Sequence, residues 1–74
     1  MSKLPELSVR DVLKVLAFFG YQPDHQTGSH LICRNSQTRR MVVVPAHNPI
    51  AKGTLRAIIR EAGLTRDEFL DQLD

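Results

Sequence analysis

Between positions 9 and 19 the apolar residues Val9, Val12, Leu13, Leu16 and Phe19 recur at helical spacing, and at Gly20 that period stops. Ser8 with Asp11 three residues later has the form of a capping box, and Gly20 stands where a helix C-cap is needed. The spacing predicts an amphipathic helix over 9–19, with an apolar stripe wide enough to cover one face of a sheet. From Tyr21 onward the pattern is that of strands. Residues 21–26 are a weak strand candidate, Thr27-Gly28-Ser29 is a turn signal, and His30-Leu31-Ile32-Cys33-Arg34 is β-rich. Asn35-Ser36-Gln37-Thr38 reads as a second turn, followed by a third strand over 39–44 that Pro45 ends. Pro23 cannot donate to a central ladder and assigns the first strand to an edge.

Residues 46–53, with Pro49 and Gly53, form a loop in this reading. Leu55, Ile58, Ile59 and Ala62 then mark a second amphipathic helix closed by Gly63, with Leu64 packing back as the apolar residue of the cap. Thr65 and Glu68 form a capping box for a short third helix carrying Phe69, Leu70 and Leu73. The order is αβββαα in one domain over 1–74, without repeat or linker, since 74 residues leave no room for a second core. The expected class is α+β: a three-stranded antiparallel meander with helices packed on one face and the other face available. This layout resembles the double-stranded-RNA-binding domain.

A hydrophobic fraction of 42% with a formal charge of only +2 argues against disorder. The longest apolar run of the first half, Val15-Leu16-Ala17-Phe18-Phe19, is far short of the ~20 residues of a membrane span. The first residues show no secretory signal, and the single Cys33 cannot form an internal disulfide, which together point to the cytoplasm. Charge is uneven along the chain. Residues 1–64 hold nine Lys or Arg against four Asp or Glu, net +5, whereas 65–74 are net −3. A basic body suits a polyanionic partner, although an ordinary solvated surface has the same composition.

Chemistry narrows to histidine. Of His25, His30 and His47, His30 follows Gly28-Ser29 at the mouth of a hairpin. Strand parity groups it with Ile32 and Arg34, opposite Leu31 and Cys33, and we assign Leu31 and Cys33 to the helix-covered side. A lone strand histidine is more often a surface residue than a catalyst, but here Arg34, Arg39 and Arg40 surround the second hairpin. Lys52 and Arg56 mark the start of the second helix, whose free N–H groups favour phosphate. A histidine amid cations is suited to phosphodiester cleavage. DNA lacks an internal nucleophile, whereas RNA supplies its 2′-hydroxyl, so one imidazole as general base or acid and a few cations form a sufficient minimal site.

Other chemistries find little support. His25, His30, His47 and Cys33 match no four-ligand zinc spacing, so neither metal nor other cofactor is expected. Cys33 lies mid-strand on the buried side, Ser29 and His30 point to opposite faces, and no Gly-rich phosphate loop is present.

Taken together, these segments resemble the HicA family of bacterial toxins, small mRNA interferases of type II toxin-antitoxin systems. The resemblance spans 4–73: Leu7-Ser8 with Phe19-Gly20-Tyr21, then Gly28-Ser29-His30, then Val43-Val44-Pro45-Ala46-His47, then Lys52-Gly53-Thr54-Leu55-Arg56 and Ile58-Ile59-Arg60-Glu61-Ala62-Gly63-Leu64. It implies a double-stranded-RNA-binding-like fold, ribosome-independent RNA cleavage and neutralisation by a HicB-type antitoxin. The family's catalytic histidine maps onto His30, its Gly-Ser pair onto Gly28 and Ser29, and its Pro-x-His element onto Pro45-Ala46-His47. Asn48-Pro49-Ile50-Ala51 departs from the Gly- and Lys-richer loop common in the family.

The expected function is therefore a metal-independent endoribonuclease toxin of the cytoplasm with His30 as general acid or base. Gly28 and Ser29 form the supporting turn, and Arg34, Arg39, Arg40, Lys52 and Arg56 are candidate phosphate ligands. The partners are mRNA and an antitoxin, the latter held on the open face through apolar contacts around Ile32 and Val42. The alternatives are a non-catalytic RNA-binding module using the same basic surface and a purely protein-interacting subunit.

Overall fold

The computed structural model describes residues 4–73. Residues 1–3, at the end where a secretory signal was sought, and Asp74 lie outside the described residues. The elements run α1 (Val9–Phe18), β1 (Tyr21–Thr27), β2 (His30–Asn35), β3 (Met41–Pro45), α2 (Lys52–Glu61) and α3 (Arg66–Asp71). The strands form one antiparallel sheet in the order β1-β2-β3, so the architecture is the expected α+β arrangement. Both capping boxes are formed: Ser8 Oγ accepts from the Asp11 N–H and Thr65 Oγ1 from the Glu68 N–H, each at 3.1 Å. None of the described helices is long and apolar enough to cross a membrane.

Alternation along β2 and β3 divides the sheet into a covered and an open side. Cys33 pairs with Val42 and Leu31 with Val44; Cys33, Val42 and Val44 are fully buried, and Leu31 packs against the core. Val12, Val15 and Leu16 of α1, Leu55, Ile58 and Ile59 of α2, and Phe69 of α3 complete that core. On the other side His30 pairs with Pro45, Ile32 with Val43 and Arg34 with Met41. Val42, expected with Ile32 on the open side, is therefore a core residue, because alternation places Met41 and Val43 outward instead.

The main departures from the sequence reading are at β3 and at the start of α2, the ends of α1, β1 and β2 agreeing within one residue. The third strand begins at Met41, not at 39, because Arg39 takes a left-handed conformation (φ 66°) that closes the preceding turn. Its N–H donates to Asn35 O at 2.8 Å while Asn35 N–H donates to Arg40 O at 2.9 Å. Pro45 remains in the strand because Ala46, next along, donates its N–H to Ser29 O (2.6 Å), so the missing donor of Pro45 points away from β2. The other is the start of α2, which lies at Lys52, inside the 46–53 segment read as loop. Residues 52 and 53, read as loop, are helical: Leu55 N–H bonds to Ala51 O at 2.9 Å, and Ala51, the N-cap, supplies no side-chain bond that the sequence could have announced.

Pro23 lies on an edge strand as expected, and the register shifts between Pro23 and His25, leaving Asp24 at the irregularity. The last turn of α2 is anchored to the sheet by Tyr21, whose buried hydroxyl donates to Ala62 O at 3.0 Å, and by Arg40, whose guanidinium donates to Glu61 O at 3.1 Å. Gly63 closes the helix at φ 75°, a left-handed conformation that favours glycine, and a Cβ there would only push aside the Arg40 guanidinium 2.8 Å away. Its neighbour Leu64 packs against the core, as expected of the apolar cap residue.

Asn35 carries the most concentrated polar role in the fold. It is 5% exposed, its Nδ2 donates to Phe19 O (3.0 Å), and its Oδ1 accepts from the Gln37 (2.9 Å) and Thr38 (3.1 Å) N–H groups. One amide thus joins the end of α1 to the β2–β3 turn. Asn35→Ala leaves these groups without partners and is expected to cost about 2 kcal/mol. In a domain of this size that lowers the thermal midpoint by roughly 8–16 °C, measurable by circular dichroism. A midpoint within 2 °C of the native protein would contradict this assignment.

Candidate functional site

The two-residue turn between β1 and β2 is the first part of the site. Thr27 and His30 pair across it, and Gly28 takes φ 57°, the conformation that tight hairpin turns reserve for glycine, with open space around its Cα. Gln26 Nε2 donates to Gly28 O at 2.9 Å and holds the turn. Ser29 O accepts the Ala46 N–H, so Gly28-Ser29-His30 lies directly beside Pro45-Ala46-His47. Two segments 15 positions apart in the chain become one local structure.

His30 is exposed and faces a groove of about 610 Å³ between the open side of the sheet and α2. The sheet contributes Val43 and Pro45, and the helix contributes Gly53, Thr54, Ala57, Ile58 and Glu61, with Ala51 at the mouth. The groove is concave and largely apolar, with His30, Thr54 and Glu61 as its polar side chains, a composition suited to a flat organic group held by a few directional contacts. The loop from Ala46 to Ala51 is tied to the start of α1: Ile50 N–H donates to Leu7 O (2.8 Å), and Asn48 Oδ1 accepts the Val9 N–H (2.7 Å). The α2 start is thereby fixed relative to His30.

The cations are spread more widely. Lys52 opens α2 between Ala51 and Gly53, both of which line the groove. Arg34 shares the open side with His30 but lies four residues along β2, about 13 Å at 3.3 Å per residue. Its guanidinium is 3.9 Å from Asp24 Oδ2, an exposed pair that contributes little to stability. Arg39 and Arg40 sit at the far end of the β2–β3 hairpin, and Arg40 is engaged with α2. Arg56 lies away from the groove, lining a separate cleft of about 290 Å³ with Leu4, Ile59, Arg60, Leu64 and Arg66. The fold thus brings His30 together with the helix start at Lys52, and not with the four arginines assigned to phosphate.

The remaining titratable groups lie elsewhere. His25 bonds to Asp24 at 2.8 Å; this hydrogen bond, aided by Arg34, holds the Asp24 carboxyl below its ordinary value against a smaller opposing effect of desolvation. Burial pushes the Cys33 thiol up, so at neutral pH it remains protonated. His47 is exposed on the loop after β3. Among the described residues no three His, Cys, Asp or Glu side chains gather as metal ligands. Glu61, Thr54, Ala57 and Val43 were not singled out from sequence. The phase of α2 carried part of the signal, since Gly53, Ala57 and Glu61 recur at four-residue spacing beside the buried Leu55, Ile58 and Ile59 stripe.

No curated protein sequence matches the chain significantly. The model of one family, described as the HicA toxin of bacterial toxin-antitoxin systems, matches residues 9–64, from the first residue of α1 through the close of α2, and so includes the turn before His30, the Pro45-Ala46-His47 segment and the groove-lining helix. With that match over most of its length, the chain belongs to the HicA toxin family of bacterial toxin-antitoxin systems.

Proposed function

We propose that this toxin is a ribosome-independent endonuclease of mRNA, with His30 as the group that moves protons during cleavage. The observation that carries the reading is the placement of an exposed imidazole at one end of an apolar groove, beside the N-terminus of α2. Neutral His30 would take the proton of the 2′-hydroxyl as that oxygen attacks the adjacent phosphorus. The P–O5′ bond breaks, and the 5′-oxygen leaves with a proton from the imidazolium or from water. The products are a 2′,3′-cyclic phosphate and a 5′-hydroxyl.

Charge building on the phosphorane oxygens is met by Lys52 and by the first N–H groups of α2, which no side chain caps. Arg34 lies farther along the open face, and with Arg39, Arg40 and Arg56 it contributes to the basic field that draws in RNA, not to contacts with the reacting phosphate. Because RNA carries its own nucleophile, this chemistry requires no bound metal or other cofactor. An mRNA substrate places the toxin in the cytoplasm.

A HicB-type antitoxin silences such a site most directly by covering the open face and the start of α2. Ile32, Met41 and Val43 supply apolar contacts there, and acidic groups on the antitoxin would replace phosphate near Lys52.

Two outcomes test the cleavage chemistry. His30→Ala is expected to slow cleavage of a labelled RNA by about a hundredfold or more, the usual contribution of a positioned acid or base. It should leave the circular dichroism spectrum unchanged because the ring is exposed. A folded variant cutting within threefold of the native rate would remove His30 from the mechanism. Cleavage is further expected to continue in excess EDTA and to yield 2′,3′-cyclic phosphate ends by mass spectrometry. An absolute requirement for a divalent cation, or 3′-hydroxyl products, would overturn the mechanism.

A further inference from the structure

We propose that the groove beside His30 reads a base, and that the Glu61 carboxylate selects guanine in a nucleotide flanking the cleaved bond. The proposal rests on the RNA-cleavage reading above and adds the specificity of that site.

The groove has a direction. Pro45 and His30 pair at one end, next to the start of α2 at Ala51 and Gly53. At the other end Arg40, just before β3, bonds to the carbonyl of Glu61 itself. Gly53, Ala57 and Glu61 form one ladder along the helix, and eight residues at 1.5 Å each set Glu61 about 12 Å from Gly53. Between the two ends lie Val43, 40% exposed, and Ala57. The middle of the groove is therefore apolar and suits the face of a planar base, whereas the two polar ends suit a phosphate near His30 and a hydrogen-bonding edge near Glu61.

Glu61 is out of place for a phosphate contact. Residues 1–64 contain only four carboxylates. Asp11 caps α1, Asp24 is held by His25, and Glu6 lies before α1 outside the groove; the Glu61 carboxylate, at the groove, has neither ion pair nor hydrogen bond among the described residues. An ionised carboxylate accepts hydrogen bonds and repels phosphate, so in an RNA groove it fits an edge that carries donors. Guanine offers N1–H and N2–H side by side, matching both carboxylate oxygens in two parallel charge-assisted bonds. Adenine and cytosine offer one amino group beside an acceptor nitrogen, and uracil offers one N–H between two carbonyls. Guanine is thus preferred over the other three.

The test compares the full chain with Glu61→Gln, which keeps side-chain size and helix propensity. Cleaved ends of a random RNA pool are sequenced, and binding of 2′-O-methyl tetranucleotides with G, A, C or U at one central position is followed by fluorescence anisotropy. The native chain is expected to favour guanine about tenfold to a hundredfold, at one fixed position in the pool and in the tetranucleotide series, and Glu61→Gln to lose most of that preference. A native chain indifferent to the base would overturn the subsite, as would a Glu61→Gln profile equal to the native one. An effect of Glu61→Gln on antitoxin affinity with the base profile unchanged would assign Glu61 to the protein partner and likewise overturn it. Glu61-dependent guanine binding without cutting would retain the subsite and remove the cleavage reading. Cutting with a Glu61-independent profile would do the reverse, and a chain that neither binds nor cuts loses both.

Discussion

The register between β2 and β3 is the constraint on which the site depends. From the Ser29–Ala46 bond at one end to the Asn35–Arg40 bond at the other, the ladder sets Cys33 opposite Val42 and His30 opposite Pro45. A slip of one residue would exchange every side chain between the faces, driving Arg34 and His30 into the core and Cys33 and Leu31 into water. Burial of Cys33, Val42 and Val44 under the helices opposes that slip, and so does the Asn35 amide, which fits only one turn geometry. Core packing on one side therefore holds the imidazole on the other.

Helix α2 connects packing to chemistry in a similar way. Leu55, Ile58 and Ile59 bind it to the sheet, Tyr21 and Arg40 hold its last carbonyls, and the tethered loop from Ala46 to Ile50 fixes its start. A helix held at both ends forms a groove wall of defined width, and the side chains on that wall keep their spacing relative to His30. Pre-organisation of this kind matters for phosphoryl chemistry, because small displacements between a reacting oxygen and its base are costly in rate. Arg40, in this view, belongs to the framework: its contact with the end of α2 accounts for its place in the structure without reference to a ligand.

Local signals were the legible ones. The capping boxes at Ser8 and Thr65, the alternation through β2 and the glycine turn before His30 each depend on residues a few positions apart, and each has its expected form. Parity separates Leu31 and Cys33 from His30 and Arg34, and assigning the first pair to the helix-covered side agrees with the burial of Cys33. The misread features depend on distant partners or on unusual local choices. Arg39 occupies a left-handed position that arginine seldom takes, and α2 begins at a residue without a capping side chain. The separation of Arg56 from His30, and the presence of Glu61 in the groove, follow from how α2 rotates against β3. That rotation is set by tertiary packing and is absent from any short window of sequence.

The most direct measurement uses a DNA oligonucleotide containing a single ribonucleotide, incubated with the purified toxin in EDTA. An internal 2′-hydroxyl nucleophile with His30 as its proton acceptor predicts one cut, immediately 3′ of the ribonucleotide, that disappears in the His30→Gln protein and in the all-DNA strand. Cutting of the all-DNA strand, cutting at the 5′ side of the ribonucleotide, or undiminished cutting by His30→Gln would contradict it.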